Sequence, residues 1–277
     1  ETDTRSILQA TLSQDGTYRF STGERLGRRG EAARVDGRLV RVGADGVAKD
    51  RLPEGTDILT AQTATVSDLY VAKAQSQFWL SLATSLHHLG KPLLNSYDSI
   101  VRTHDKVVTS AVLSQAGLPA PATWLTSSVS SLESLLDEGS LLLKPRSGNC
   151  GFGIRWIREK HQLEDLVLDE SVHLIQRAVV AVEPEWKLYG IGDKVFASHK
   201  PSGHKANALQ GKPVEVKPEH RALALKCREA LGLDLYGLDL IETEQGPVIV
   251  DVNLYPGFRE IPDAPKMVAE LILERLA

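Results

Sequence analysis

"YGLDLIETEQGPVIVDVNLYPG", residues 236–257, reads as two apolar strands joined by a polar turn containing Gln245, Gly246 and Pro247. Asp251 and Asn253 stand two apart, so one face of the second strand carries both, while Val250, Val252 and Leu254 turn to the other. Asp239 joins Asp251 and Asn253 if the connecting loop holds three or five residues, which sets it opposite Asn253 or Asp251; an even loop turns it away. Any one of these side chains is ordinary on a solvated strand face. Together they make an oxygen-rich pocket suited to Mg²⁺, which keeps some waters and completes its shell with substrate phosphates. Two carboxylates ~4 Å apart repel by about 4 kcal/mol at an effective dielectric near 20, a cost that a divalent cation relieves.

Upstream, "LLLKPRSGNCGFGIRWI", residues 141–157, sets a strand-like run ending in Lys144 against glycines at 148, 151 and 153, and a second strand-like run follows. Such glycines let successive backbone N–H groups point into one concavity, and the lysine adds a full positive charge, the ingredients of a phosphate cradle. A P-loop is excluded because no GK[ST] ending and no helix follow, and the spacing is not that of a dinucleotide fingerprint. What remains is a hairpin whose tip folds over a nucleotide, or a glycine-rich hairpin that binds nothing. Cys150 in the tip reads as a small tolerated residue, since no partner base is evident.

The 277 residues, 42% hydrophobic and 25% charged, describe a soluble chain of two domains or three small ones. A formal net charge of -4 gives no general case for nucleic acid, although residues 19–51 hold eight Arg and one Lys against five acids. That local excess reads as a solvated surface or as a site for an anionic partner. Two cysteines, Cys150 and Cys227, are too few for a disulfide framework or a zinc site, and a reducing cytoplasm fits best. No run approaches a membrane span, and "ETDTRS" lacks the regions of a signal peptide, with a removed presequence left open.

Along the chain, a strand around "TDILTA" (56–61), a helix over 67–89 and the run "PLLN" predict a β, α, β unit. Gly90 and Pro92 end that helix, and His87 and His88 in its last turn complement the helix dipole. "HDKVVTSAVLSQAG" predicts a second helix with a stripe of Val108, Ala111, Val112 and Gln115, stopped by Gly117. "SVSSLESLLDEG" predicts a short helix capped by a serine, and the first fifty residues offer short strands between turn glycines.

Taken in order, Lys106, "KPRSGNCGFG", "IQRAV", "EWKLYGIGDKVFASHK" and "DLIETEQGPVIVDVNLYPGF" resemble the ATP-grasp superfamily, particularly its RimK-like amino-acid ligases, over about residues 56–277. The resemblance implies an α/β (α+β) ATP-grasp fold: a smaller N-terminal α/β domain (1–95), a central subdomain with the glycine-rich loop (96–175) and a C-terminal subdomain with the metal site (176–277). It implies that Lys106 and Lys144 reach the phosphates of ATP under the loop of Ser147, Gly148, Gly151 and Gly153. Gln176, Arg177 and Val179 belong to the hinge that holds adenine with backbone groups, and Glu183 or Glu185 holds the ribose. Lys187 and Lys200 match basic positions that touch the γ-phosphate and the acyl-phosphate, and Asn207 the polar position of a loop that closes over the transferred group. Asp239, Asp251 and Asn253 match the ligands of Mg²⁺ or Mn²⁺, and Arg259 a position that binds a substrate carboxylate.

The implied activity joins a small-molecule or peptide carboxylate to an amine through an acyl-phosphate, in a cytoplasmic enzyme with no membrane or nucleic-acid partner and with homo-oligomerisation left open. The alternative is an ATP-grasp kinase acting on an inositol phosphate or similar alcohol, which "LDLYGLDLI" and "VDVNLYPGF" also resemble. A third is a nucleotide-binding subunit without catalysis.

Overall fold

The computed structural model describes residues 8–12, 18–22, 37–42, 48–51, 69–74, 77–126, 128–144, 154–164, 166, 173–182, 185–199, 211–258 and 260–276. Strands β1 (Leu8–Leu12) and β2 (Tyr18–Thr22) form an antiparallel pair. A four-stranded sheet follows, built from β3 (Gly37–Val42), β4 (Ala48–Arg51), β5 (Leu69–Ala74) and β6 (Leu93–Leu94) in the order β4-β3-β5-β6. Helix α1 (Gln77–His88) joins the parallel strands β5 and β6, so the expected β, α, β unit is present. Its first strand, however, is 69–74, within the span expected to be helix, and the segment around 56–61 lies outside the described residues. Leu69, Tyr70 and Val71 are consecutive and all buried, which the two faces of a paired strand allow and one stripe of a helix does not. Gly90, at φ +68°, ends α1 as expected, with Lys91 N–H donating to Leu86 O at 2.9 Å.

Two capped helices come next. The first, α2 (Tyr97–His104), is absent from the sequence reading; Ser96 Oγ accepts from Ser99 N at 3.2 Å to start it. The second, α3 (Lys106–Gln115), is the predicted one, capped by Asp105, which accepts from Val107 N at 2.9 Å. Its buried stripe is Thr109 and Leu113, whereas Ala111 and Gln115 are exposed, because the helix meets its neighbours one step around from the expected face.

The central sheet runs β7 (Thr123–Thr126), β10 (His173–Arg177), β8 (Leu141–Lys144), β9 (Arg155–Ile157), all antiparallel. The short helix predicted before β8 is a 3-10 turn over Val129–Leu132 running into α4 (Glu133–Leu136), with no side-chain cap bond. Leu132, Leu141, Leu143, Ile157 and Ile175 form the core on the side of this sheet away from the cleft.

The C-terminal sheet contains β11 (Trp186–Ile191), β12 (Lys194–His199), β13 (Lys212–Val214), β14 (Leu235–Thr243) and β15 (Gly246–Leu254), in the order β13-β12-β11-β14-β15. Helix α5 (Pro218–Leu231) packs with α1 and α3 against Leu188, Leu238 and Leu240 on one face. On the other, α6 (Ala264–Leu276) packs with Tyr189, Ile191 and Leu235, and the same core takes in Leu69, Val71 and Leu94 of the N-terminal sheet. Asn95, fully buried, fixes that junction: its Nδ2 donates to Leu235 O at 2.8 Å and its Oδ1 accepts from Asp234 N and Leu235 N at 2.6 and 2.8 Å. Among the described residues no helix is long and apolar enough to cross a membrane.

Gly190 of β11 lies under the buried ring of Tyr236, and a Cβ there would meet ring carbons at 2.0 Å. Gly190→Ala is therefore expected to destabilise the chain by about 3 kcal/mol or more, because the ring is boxed in and has nowhere to move. A urea denaturation midpoint shifted down at unchanged slope checks this.

Candidate active site

The hairpin of β14 and β15 turns through two residues, Glu244 and Gln245, with Thr243 opposite Gly246. An even loop on its own would set Asp239 opposite Val250 and send Asp251 to the α5 side. The register instead shifts by one residue between Asp239 and Leu240, so that Leu240 pairs with Ile249 and Asp239 with Asp251. Val250 is the extra residue of a β-bulge, and with Ile249, Asp251 and Val252 it lines the cleft. The expected pairing is thus reached by a two-residue turn plus a bulge, not by an odd loop. Lys144 Nζ donates to Val250 O at 3.3 Å, satisfying the carbonyl at the irregular point of the ladder.

From this register follows a row of charges across three strands. Lys187 of β11 is the cross-strand neighbour of Asp239, its Nζ 3.9 Å from Asp239 Oδ1, and Asp239 is the neighbour of Asp251. Lys106, the first residue of α3, donates from Nζ to Asp251 Oδ1. Asn253 Nδ2 lies 3.4 Å from Asp251 Oδ2, placing the amide against the same carboxylate. Directly beyond it, Tyr255 adopts a left-handed φ of +43°, which marks the exit of β15 as locally strained.

Lys106, Lys144, Gln176, Val250 and Asp251 line one cleft between α3, the central sheet and β15. Burial lowers the Lys144 pKa from its ordinary value; Asp251 and Asp239 oppose that shift and the Lys106 charge reinforces it. Gln176 Nε2 donates to Thr123 Oγ1 at 3.1 Å, while its buried Oε1 has no donor among the described residues and remains a ready acceptor on the cleft wall. Among the described residues no three His, Cys, Asp or Glu gather as a metal cluster. Two carboxylates and an amide fit a hard cation that takes further oxygens from a phosphate, not a zinc ion held by protein alone.

Arg177 turns its side chain to the opposite face of the central sheet, where Nη1 donates to Leu135 O and Gly139 O at 2.8 and 2.6 Å and the guanidinium lies 5.2 Å over the Trp124 ring. Its N–H donates to Ala122 O and that of Ala178 to Ser140 O, both at 2.9 Å. Val182 N–H donates to Glu242 O at 2.9 Å, so residues 179–181, which include Val179, run between two anchored points. Glu185 is part-buried just ahead of β11. Ser147, Gly148, Gly151, Gly153, Glu183, Lys200, Asn207 and Arg259 lie outside the described residues, as do Cys150 and the side chains of the arginine-rich stretch. Cys227 is buried, and burial pushes its thiol up to about 12, which removes it from any nucleophilic role.

A family model for the RimK-like ATP-grasp domain matches residues 103–274, more than half of the chain. The chain belongs to the RimK-like ATP-grasp family. The probable alpha-L-glutamate ligase 2 of Shewanella frigidimarina is 29% identical over 202 residues, which span 67% of each chain. A RimK domain protein ATP-grasp from Sphaerobacter thermophilus superposes with a TM-score of 0.64 at 20% identity, covering 75% of this chain and 81% of its own. The ATP-grasp ligase PsnB, complexed with minimal precursor, Mg and ADP, gives 0.56 at 18% identity over 72% of this chain and 66% of its own. The family match and the glutamate-ligase relative favour the ligase over the kinase reading.

The sequence reading passed over Glu260, although it stands beside Arg259. Its Oε2 accepts from Tyr189 Oη and, at 3.2 Å, from Ser198 Oγ, and its Oε1 accepts from Gly211 N at 3.0 Å. Only the adjacency of an acid to the arginine could have hinted at it. Tyr189 and Ser198 are each 1% exposed, so Glu260→Ala strands two buried hydroxyls. A loss of about 1–3 kcal/mol in unfolding free energy is expected, with Glu260→Gln losing less because the amide oxygen still accepts.

Proposed function

We propose that this chain, an ATP-dependent carboxylate–amine ligase of the RimK-like branch, holds the ATP phosphates with Lys106 and Lys144 and a Mg²⁺ ion with Asp239, Asp251 and Asn253. The observation that carries the reading is the convergence of Lys106, Lys144 and Asp251 on one cleft, with Asp239 and Lys187 continuing the same row of charges. Substrates are small molecules or peptides; L-glutamate is the first amine and the first acid to try, because the Shewanella relative is named for it.

In the reaction an oxygen of the carboxylate substrate attacks the γ-phosphorus of ATP, the bond to the β-phosphate oxygen breaks, and ADP leaves. The amine then attacks the acyl carbon, loses a proton and expels phosphate, leaving an amide. When bound, the divalent cation draws charge from the phosphate oxygens and fixes their orientation. The ammonium groups of Lys106 and Lys144 stabilise charge spread over the equatorial oxygens, and Lys187 does so on the acyl-phosphate side. Gln176 Oε1 accepts from the exocyclic amino group of adenine, and residues 179–181 supply the backbone contacts. Lys200, Asn207 and Arg259 are assigned to the acceptor half, with Arg259 on the substrate carboxylate.

A screen of acid and amine pairs by ADP and phosphate release tests the reading. Hydroxylamine in place of the amine is expected to trap the acyl-phosphate as a hydroxamate, whereas a stable phosphorylated alcohol would assign the chain to the kinase alternative. Asp251→Ala is expected to lower kcat by about two to three orders of magnitude with the far-ultraviolet circular dichroism unchanged.

Lys144 gives a pH dependence. Phosphate favours the charged amine, and burial places its pKa below that of an ordinary lysine. Nucleotide affinity is thus full below the lowered pKa and is lost as pH rises through it, earlier than an unperturbed lysine allows. Lys144→Met is expected to bind AMPPNP about 10–100-fold more weakly at neutral pH and to lack that alkaline descent in calorimetric titrations.

A further inference from the structure

Both carboxylates offered to the cation already face an ammonium group. Asp251 Oδ1 accepts from Lys106 Nζ, and Asp239 Oδ1 lies 3.9 Å from Lys187 Nζ. Lys144 stands beside them on the bulge carbonyl. Among the described residues, this row sets three lysines against two aspartates before any ligand enters. The Lys106 and Asp251 side chains are 19% and 30% exposed, which leaves their attraction only partly screened by water. A bare divalent cation therefore meets a repulsive field and a ligand oxygen that is already engaged. A polyphosphate meets the reverse: it is attracted, and it offers the Lys106 ammonium another partner.

We infer that Lys106 gates the metal: it holds Asp251 closed to divalent cations until nucleotide phosphates draw its ammonium away, so that cation and nucleotide enter together. This rests on the assignment of the cleft to ATP and metal, and it adds an order of events to that assignment. The gate keeps the free protein from filling with a wrong cation, since softer, tighter-binding ions also find Asp251 engaged.

The test is a Mn²⁺ titration of the full chain without nucleotide, followed by the electron paramagnetic resonance signal of free Mn²⁺. Lys106→Met is expected to bind Mn²⁺ about tenfold or more tightly than the unmodified chain, and adding Asp251→Asn to it is expected to abolish the gain. Lys144→Met removes the same charge nearby but leaves the Lys106–Asp251 pair in place, and is expected to gain clearly less than Lys106→Met. Lys106→Gln repeats the experiment should the methionine variant fold poorly.

Equal affinity of the unmodified chain and Lys106→Met overturns the gate, and so does an equal gain in Lys144→Met, which would reduce the effect to net charge. A parallel titration with AMPPNP separates the two levels of the argument. There the unmodified chain is expected to bind Mn²⁺ and Asp251→Asn to bind it weakly. If Asp251→Asn binds Mn²⁺ as well as the unmodified chain, the metal assignment itself falls, and the gate with it.

Discussion

One extra residue in the last hairpin governs the site. Val250 interrupts the ladder of β14 and β15, and only because of it does Asp251 share a face with Asp239 and Lys187. Without the bulge the two-residue turn would carry Asp251 towards the apolar contacts of α5, where an ionised carboxylate is costly to bury. The bulge in turn leaves a carbonyl to be satisfied, and Lys144 reaches it from the central sheet. The same irregularity therefore orients the carboxylates and ties the two sheets that form the cleft.

The surrounding fold holds that hairpin from both sides. Leu238, Leu240, Val252 and Leu254 face the core shared with α1, α3 and α5, while Leu235 faces the core shared with α6 and the N-terminal sheet. Asn95 bonds the first residues of β14 from a position 140 residues upstream, so the N-terminal unit serves as a brace for the site strand. Glu260 does the same from the C-terminal side, linking β11 and β12 to the segment that follows β15. Lys217 and His220 hold Glu242 near the far end of β14 at 3.0 and 2.6 Å, where its carbonyl anchors Val182. Burial raises the Glu242 pKa and these two bonds lower it further than burial raises it, so its stabilising contribution is present at neutral pH and lost as pH falls through the lowered pKa.

Much of this was legible from residue patterns. The hairpin, the strands flanking the glycine loop, α3 with its glycine stop, and the face shared by Asp251 and Asn253 all follow from local periodicity and turn chemistry. Three things did not follow. Residues 69–74 are a strand because β3 and β6 pair with them, a non-local partnership that overrides the helical spacing read there. The bulge left no mark, because "PVIVDVN" alternates equally well in either register, and only the paired strands show that Asp251 is kept off the α5 side. Glu260 and Asn95 act through contacts with distant backbone and hydroxyl groups, which spacing along the chain does not encode.

The central claim is that Asp239 and Asp251 face one cleft and share a cation with ATP phosphates held by Lys106 and Lys144. The most direct measurement is anomalous scattering from Mn²⁺ in crystals grown with AMPPNP. A manganese peak within about 2.3 Å of oxygens from both aspartates and from the nucleotide phosphates is the predicted result. A peak elsewhere, or density showing Asp239 and Asp251 on opposite faces of the hairpin, would contradict it.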